Sequence, residues 1–388
     1  MRFTCCAVAF ANHCILNSPR SHPARIPLLV PSLTGREADL LAKCVAENWV
    51  SSAGPEVSAF EEGVARLAGR KYGVAMVNGT AALHLALVVL GIGSGERVIV
   101  PDWTFAASVN AIFHAGGVAH FVDVRETDWA LDPDLVEQEL EKTSDIKAVI
   151  AVDPLGHAAD LDRLSSICAS HGVCLIEDAA GAIGAKHHGR PCGGFGDIST
   201  FSFNGNKTIT TGGGGMLMTN DREIAERARH LSTQARVGRD YIHDEIGFNY
   251  RMPNLNAALG LAQLEGLEDI VGAKRAIASR YDKALLKRND IKPMPRPSHS
   301  ESSCWLYSVA VAHEAEARSL ILAMDEGGID VRTFWRSLSA QPPWGNATHT
   351  KTPISESLSG SVVSLPSSAG LSPADQDRVI DVLAQWCG

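Results

Sequence analysis

The chain has 388 residues, of which 45% are apolar and 20% charged, and it carries a formal net charge of −9. This composition is ordinary for a globular protein with a large core, and the length favours two domains. The chain has no basic run to supply phosphate contacts, which excludes a general nucleic-acid binder. No apolar stretch approaches the roughly 20 residues that span a bilayer. We therefore expect a soluble, cytoplasmic protein without nucleic-acid or membrane partners.

Residues 1–25 differ in character from the remainder of the chain, because a short apolar segment is followed by proline, serine and histidine. The interpretation we favour is a disordered extension or an over-long start. A weak signal peptide is the alternative, but a clean small-residue cleavage site is missing. The remaining residues are predicted to form a large domain over 26–270 and a smaller domain over 271–388.

The spacing of cysteine and histidine indicates neither a disulfide framework nor a metal site. The nine cysteines are odd in number and scattered, and none forms a C-x-x-C pair, so free thiols in a reducing compartment are expected. His187 and His188 are adjacent, and adjacent side chains of a strand point to opposite faces. A shared metal at this pair is therefore not expected, and no metal is assigned to the chain.

Two amphipathic helices are predicted before residue 70, the first after Thr34 and the second with apolar residues at Phe60, Val64 and Leu67. From residue 74 to 185, short apolar runs alternate with helical patterns, including helices at 105–115 and 132–142. This repetition predicts a doubly wound α/β sheet with crossover helices. In such sheets ligands bind at the carboxyl ends of the strands.

Three of the predicted strand ends carry residues suited to ligand binding. Gly79 and Thr80 follow the first strand and open a helix, where free N–H groups favour a phosphate; an ordinary N-cap threonine is the alternative. Phe105 follows the next strand, as a ligand-stacking or a core aromatic. Asp178 ends a buried apolar run, where its charge requires a cation. The alternative there is an N-cap for a helix beginning at Ala179.

Lys207 lies in a small-residue loop between two apolar runs, within the stretch 196–221. Walker loops place glycine six residues before and directly before their lysine, but Phe201 and Asn206 occupy those positions. Four glycines, 212–215, follow instead. A single lysine in this setting suits a cofactor bound covalently through the amine. A flexible turn beside a surface lysine is the alternative.

After this stretch the pattern becomes helical, and Pro253 is predicted to open one long amphipathic helix. We place the domain boundary along this helix, near Val271. The remainder combines predicted strands and a helix that ends in glycines, which indicates an α+β module able to lie over a site on the first domain.

Several ordered motifs resemble the DegT/StrS family of sugar aminotransferases, which are pyridoxal-phosphate (PLP) enzymes of fold type I. The resemblance extends from about residue 26 to the C-terminus. It implies an α/β fold with a large domain built on a mixed, mostly parallel sheet between helices, and a smaller C-terminal α+β domain. The motifs are NGTAALHLAL (78–87), VIVPDWTFAASVNAI (98–112), IEDAAGAIGA (176–185), FSFNGNKTITTGGGGMLMTND (201–221), GFNYRMPNLNAALG (247–260) and LPSS (365–368).

The resemblance also implies roles for single residues. Lys207 corresponds to the lysine that bonds to PLP and moves the proton, which requires a neutral amine. Asp178 corresponds to the aspartate that keeps the pyridine nitrogen protonated. Phe105 takes the position of the stacking aromatic. Asn249 resembles an asparagine that reaches the cofactor phosphate of the neighbouring subunit, which implies a homodimer.

The phosphate itself is expected at Gly79, Thr80 and Ala81, with the hydroxyl of Ser202. The chain departs from the family at Gly181, where members often carry glutamine or histidine near the ring hydroxyl of the cofactor. Further residues expected to line a sugar-nucleotide cleft are Arg332, Tyr307 and the loop 49–52.

The function implied by the resemblance is ping-pong transamination from an amino acid, expected to be L-glutamate, to a keto group of a nucleotide sugar. The NGNK sequence around the lysine most resembles the branch acting on UDP-linked 4-keto-6-deoxy sugars, as in bacillosamine and legionaminic acid pathways. A PLP-binding regulatory protein without turnover, or a fold-type I enzyme acting on an amino acid, are the alternatives.

Overall fold

The structure is a computed structural model that describes residues 25–387, so the predicted N-terminal extension lies outside the described residues except for Arg25. The helices, in chain order, are α1 (Arg36–Ala46), α2 (Pro55–Leu67), α3 (Gly79–Val89), α4 (Ala106–His114), α5 (Pro133–Lys142), α6 (Leu161–His171), α7 (Arg222–Ser232), α8 (Asn254–Glu265), α9 (Leu267–Leu285), α10 (Glu314–Glu326), α11 (Pro353–Leu358) and α12 (Pro373–Gln385).

The strands are short, and most of the strands before Lys207 are buried. They are β1 (Tyr72–Met76), β2 (Arg97–Pro101), β3 (Val118–Val122), β4 (Ile146–Val152), β5 (Cys174–Asp178), β6 (Lys186–His187), β7 (Arg190–Pro191), β8 (Ile198–Ser202), β9 (Gly215–Thr219), β10 (Arg236–Val237), β11 (Ile242–His243), β12 (Lys292–Pro293), β13 (Ser300–Glu301), β14 (Tyr307–Ala310), β15 (Arg332–Thr333), β16 (Thr348–His349) and β17 (Val362–Leu365).

Eight strands form the main sheet, in the order β1-β9-β8-β5-β4-β2-β3-β16. β9 is antiparallel to both of its neighbours, and every other pair in this sheet is parallel. A helix lies in each of the connections β2–β3, β3–β4 and β4–β5, as parallel crossovers require, whereas the connection from β5 to β8 contains the short strands β6 and β7. The prediction of a mixed, mostly parallel sheet flanked by helices is confirmed.

The two faces of the main sheet are covered by separate apolar clusters. Along β1, Val74 and Met76 belong to one cluster and Ala75 to the other, because successive strand side chains alternate between faces. Helices α3, α4 and α7 contribute to the first cluster, and α2, α6 and α8 to the second. Burial on both faces explains why these strands read as continuous apolar runs rather than alternating ones.

The C-terminal part has its own antiparallel sheet, in the order β12-β14-β17-β15. Its apolar cluster includes residues of α9, α10 and α12 together with Ile26. A further cluster contains Trp103, Trp129 and Trp305, and it joins the carboxyl edge of the main sheet to Val362 of the C-terminal sheet. That contact places Trp305 beside the ends of the parallel strands.

Two local predictions are wrong. The helix after Pro253 is not continuous, because α8 ends and α9 begins around Gly266. The rings of His187 and His188 are not on opposite faces: their centroids lie 4.7 Å apart. The reason is that His188 has a φ of 47°, which takes the backbone out of the strand conformation at the β6–β7 turn.

The described cysteines are all free thiols, as expected for the six that lie within residues 25–387. Cys5, Cys6 and Cys14 lie outside the described residues. Within the part of the chain that the structure covers, none of the helices has the length and apolar character needed to cross a membrane.

Candidate active site

A cavity of about 250 Å³ opens at the carboxyl ends of the parallel strands. Strands β5 and β8 end at its wall, and helices α3 and α4 begin there, so backbone N–H groups and strand-end side chains converge on one space. Six residues predicted from the sequence line it, namely Gly79, Thr80, Phe105, Asp178, Ser202 and Lys207.

Lys207 follows β8 in a turn that is closed by a hydrogen bond from its N–H to the carbonyl of Asn204, at 2.9 Å. Its Nζ lies 3.5 Å from the ring centroid of Trp305. Desolvation lowers the pKa of Lys207 to about 8, although the nearby carboxylate of Asp178 acts in the opposite direction. The amine is thus much closer to neutrality at physiological pH than an exposed lysine.

Asp178 is the last residue of β5, and only 3% of it is exposed. Its Oδ2 accepts a hydrogen bond from Ser108 at 2.7 Å, and its Oδ1 accepts one from the N–H of Ala180 at 3.2 Å. Burial raises the pKa of this carboxyl, while these hydrogen bonds and the charge of Lys207 lower it. Since the segment after Asp178 forms turns, the helix-capping alternative is wrong.

The N-terminus of α3 forms a second wall of the cavity. The N-cap is Asn78, whose Oδ1 accepts a hydrogen bond from the N–H of Ala81 at 2.8 Å, so the predicted alternative of a Thr80 cap is wrong. The first N–H groups of a helix have no partner within it, which leaves those of Gly79 and Thr80 for a ligand. A Cβ on Gly79 would lie 2.9 Å from the Cβ of Ser202, so glycine is required for this approach.

Phe105 is the N-cap residue of α4 and remains 62% exposed at the opening of the cavity. The alternative of a core aromatic is therefore wrong, and the ring is available to a flat ligand. Phe334 and Trp335 also line this opening.

Two predicted site residues lie apart from this cavity within the described chain. The N–H of Ala81 is already committed to the Asn78 cap. Asn249 is exposed and pairs with Thr233 through an isolated β-bridge.

Among the residues proposed for a sugar-nucleotide cleft, Tyr307 is buried in the C-terminal core and its hydroxyl donates to Asp282 at 2.8 Å, while Arg332 is exposed on β15. The cavity lining includes neither of them, nor the loop 49–52.

Several residues that line the cavity were not predicted from the sequence. Ser108 orients Asp178 from the first turns of α4, and its position three residues after Phe105 was the available signal. Trp305 comes from the C-terminal part, nearly 100 positions after Lys207, and its Nε1 donates to the carbonyl of Asn206 at 2.6 Å. Pairing across such a sequence separation leaves no local pattern.

These residues fit pyridoxal phosphate. Lys207 would hold its aldehyde carbon, Asp178 its ring nitrogen, and the start of α3 with Ser202 its phosphate. The close approach of Gly79 to Ser202 leaves a cradle that any side chain at residue 79 would fill. The cofactor supplies an electron sink for the substrate carbon. A cavity with these anchors on a sheet of this topology places the chain among the PLP-dependent enzymes.

Comparison with known proteins identifies the particular family. The DegT/DnrJ/EryC1/StrS aminotransferase family matches residues 31–384, and the chain belongs to it. EpsN of Bacillus subtilis, provisionally assigned as a pyridoxal phosphate-dependent aminotransferase, is 38% identical over 368 residues, which cover 92% of this chain and 95% of that protein. GDP-perosamine synthase of Escherichia coli O157:H7 is 39% identical over 349 residues, covering 89% and 94%.

A solved structure supports the same assignment. The crystal structure of a DegT DnrJ EryC1 StrS aminotransferase from Brucella abortus superposes with a TM-score of 0.85 at 32% identity, covering 90% of this chain and 95% of that one. The chain is accordingly a PLP-dependent sugar aminotransferase. The predictions of family, fold, enzyme class and cofactor are confirmed.

Proposed function

We propose that this enzyme transfers the amino group of L-glutamate to the keto group of a UDP-linked 4-keto-6-deoxy-hexose in polysaccharide biosynthesis. The observation that carries the proposal is the convergence of Lys207 and Asp178 on one cavity whose opening is lined by aromatic rings. Rings of this kind suit a sugar and a nucleotide base, since both offer flat or apolar faces. The NGNK sequence at Lys207 supports the UDP-linked branch.

The chain's own residues perform the proton transfer. With a pKa of about 8, roughly a tenth of the Lys207 amine is neutral at pH 7, against fewer than about one in a thousand for an ordinary lysine. The neutral amine accepts a proton from the substrate carbon, and the ammonium group that results donates the proton again when the amino group is transferred. Ser108 holds the carboxylate of Asp178 in place, which keeps its negative charge directed at the cofactor.

The half-reaction with glutamate tests the enzyme class. We expect the holoprotein, mixed with L-glutamate and no sugar, to form one equivalent of 2-oxoglutarate per site, accompanied by a change in cofactor absorbance. Lys207→Ala should form 2-oxoglutarate at least about 10⁴-fold more slowly than the wild type, because the proton acceptor is gone. Full activity of Lys207→Ala would contradict the assignment of this residue. The absence of any half-reaction in the wild type would favour the regulatory alternative.

The second half-reaction identifies the acceptor. After reaction with glutamate, the enzyme is offered UDP-linked and GDP-linked 4-keto-6-deoxy sugars and a panel of 2-keto acids, and the products are detected by mass spectrometry. Amination of the UDP-linked sugar supports the proposal. Amination of the GDP-linked sugar alone would reassign the nucleotide to that in the name of the GDP-perosamine synthase relative. Amination of keto acids alone would favour the amino-acid alternative.

We also propose that the active enzyme is a cytoplasmic homodimer in which Asn249 reaches the cofactor phosphate of the neighbouring subunit. Asn249 is exposed and lies away from the cavity of its own chain. It follows the β10–β11 hairpin, where the apolar residues Tyr241, Ile242 and Ile246 are exposed, at 76%, 59% and 88%. Exposed apolar groups of this size are typical of a surface that another chain covers.

Mixed dimers test this sharing of sites. Subunits with Asn249→Ala are refolded or exchanged with subunits carrying Lys207→Ala, each nearly inactive alone. A hybrid dimer then has both lesions in one site and an intact opposite site, so random mixing should recover about a quarter of the wild-type activity. If Asn249 acts within its own chain, the hybrids contain no intact site and activity is not recovered.

A further inference from the structure

The turn between β6 and β7 brings two histidines together. His187 ends β6, and His188 adopts a φ of 47°, which folds its side chain back beside that of His187. Their ring centroids are 4.7 Å apart with an interplanar angle of 67°. This arrangement cannot form on a regular strand, where adjacent side chains diverge.

Asp162, in the first turn of α6, completes the group. Its Oδ2 lies 3.2 Å from Nε2 of His187, and one donor atom from each of Asp162, His187 and His188 lies within 4.8 Å of the others. Ligand atoms about 2.0–2.2 Å from a tetrahedral zinc ion are separated by a little more than 3 Å. The aspartate–histidine pair already has that separation, and the exposed His188 side chain can close the remaining distance by rotation.

The buried nitrogen of His187 without a hydrogen-bond partner among the described residues is Nδ1, which is not the atom that faces Asp162. Nε2 is the atom on the side of Asp162, and it also accepts a long hydrogen bond from the N–H of Asp162, at 3.4 Å. A metal bound at Nε2 would replace this long hydrogen bond and would leave Nδ1 as it is.

The three side chains form a donor set that indicates the kind of cation the group would bind. Two imidazoles and one carboxylate are the donor set of zinc and its neighbours in the first transition series, not of magnesium or calcium.

We propose that Asp162, His187 and His188 bind a divalent transition metal of the zinc class, with a water completing the coordination. The site lies outside the cofactor cavity, so the metal is a structural ligand rather than a catalytic one. It connects the start of α6 to the β6–β7 hairpin, and through the pairing of His187 with Ser300 to the segment that carries β13.

Another buried group of potential ligands is less suitable. Asp153, Glu177 and Cys192 also lie close together. Both carboxylate oxygens of Glu177, however, accept hydrogen bonds from backbone N–H groups, of Gly193 at 2.6 Å and Phe195 at 2.7 Å. A metal there would have to displace these bonds in a fully enclosed environment, whereas His188 offers an open approach.

Calorimetric titration tests the proposal. Tag-free holoprotein is freed of metals with a chelator and titrated with ZnCl₂. We expect one zinc ion per chain with a Kd below about 10 µM, a binding constant at least about tenfold weaker for His188→Gln, and unchanged binding for His313→Gln. His313 is an exposed histidine at the start of α10 and serves as the matched control. Saturable binding that His188→Gln leaves unchanged, or no saturable binding, would overturn the proposal.

A spectroscopic measurement distinguishes this site from adventitious binding, and it does not depend on the buried His187, whose replacement endangers folding. Co²⁺ added to the chelated protein should give the visible absorption of a low-coordinate nitrogen and oxygen site, and Asp162→Asn should weaken it at least about tenfold while His313→Gln leaves it intact. Transamination by His188→Gln should equal that of the wild type. An absorption that persists in Asp162→Asn contradicts the proposed ligand set.

Discussion

Trp305 explains why glycine stands at residue 181, where the resemblance led us to expect glutamine or histidine. A Cβ on Gly181 would lie 2.5 Å from Cε3 of the Trp305 ring, so no side chain fits between them. Nζ of Lys207 lies over the same indole, 3.5 Å from the ring centroid, and the indole N–H donates to the carbonyl of Asn206. The aromatic ring therefore occupies the space that a glutamine or histidine at residue 181 would need.

Gly181→Gln should accordingly displace Trp305 and disturb Lys207. We expect kcat/KM to fall by at least about tenfold, since a small misplacement of a reacting group has an effect of that size, with a change in the tryptophan fluorescence of the apoprotein. Gly272→Gln is the matched control, because a Cβ at Gly272 meets no atom within 4 Å. Wild-type fluorescence and activity in Gly181→Gln would show that the indole is not held there by packing.

The pKa of Lys207 can be measured through its reactivity. Burial lowers this pKa to about 8 and Asp178 raises it, so the rate at which the apoprotein attaches PLP covalently should increase with pH to a midpoint near 8. Asp178→Asn removes the negative charge, and the midpoint should then move to lower pH. Trapping with borohydride at each pH gives the profile. A midpoint near that of a free lysine, or an upward shift in Asp178→Asn, would contradict this electrostatic account.

At the level of elements, the sequence predicts the alternating strands and helices well where burial on both faces produces uninterrupted apolar runs, as in β1, β4 and β5. It fails where the cause is distant in the chain. The helix after Pro253 breaks at Gly266, and a Cβ on this glycine would lie 2.7 Å from Cγ2 of Thr34. Nothing near residue 266 signals a contact with residue 34.

This contact can be tested with a pair of substitutions. Gly266→Ala should lower the free energy of unfolding by about 1–3 kcal/mol, the usual cost of an overpacked contact. Thr34→Ser removes the methyl group but keeps the hydroxyl that contacts Glu37, so the same glycine substitution should cost much less in that background. Thermal unfolding of the four proteins measures the coupling. Equal costs in both backgrounds would show that Thr34 is not what requires glycine at residue 266.

The candidate site shows the same division between local and distant information. Asp178 and Gly79 could be predicted because each stands at the end of a recognisable strand or the start of a helix, and Lys207 because it is the single lysine of a small-residue loop. Ser202 was expected only from the resemblance to the family. The roles of Ser108 and Trp305 require the packing of α4 and of the C-terminal segment against that edge. The domain boundary near residue 270 and the role of Asn249 stay predictions.

For the molecule as a whole, the stability depends on a proton that a buried carboxyl group binds at the wall of the cavity. Asp153 lines the cavity, is 2% exposed and lies beside the fully buried Glu177. Burial, and then the charge of Glu177, raise the pKa of Asp153 well above its ordinary value. The folded state therefore keeps a proton that the unfolded state releases, and stability falls as the pH rises from the ordinary carboxyl pKa to the pKa in the fold.

Asp153→Asn should remove this dependence, because an amide cannot ionise. Over the window between those two pKa values the wild type should lose up to about 1.4 kcal/mol of stability per pH unit that the variant does not lose. Thermal unfolding of both proteins at pH 5 and pH 8 provides the comparison. Parallel behaviour of the two proteins would show that the aspartate is ionised in the fold.

The edge strand β16 has a consequence for how the polypeptide is made. Thr348 and His349 pair in parallel with β3, whose residues are synthesised more than 200 positions earlier. While the ribosome is still elongating the chain, the backbone N–H and C=O groups along one side of β3 are unpaired. Unpaired strand edges of this kind form hydrogen bonds with strands of other chains. Translation must pass residue 349 before this edge is covered, so premature termination after α9 leaves a product prone to aggregation.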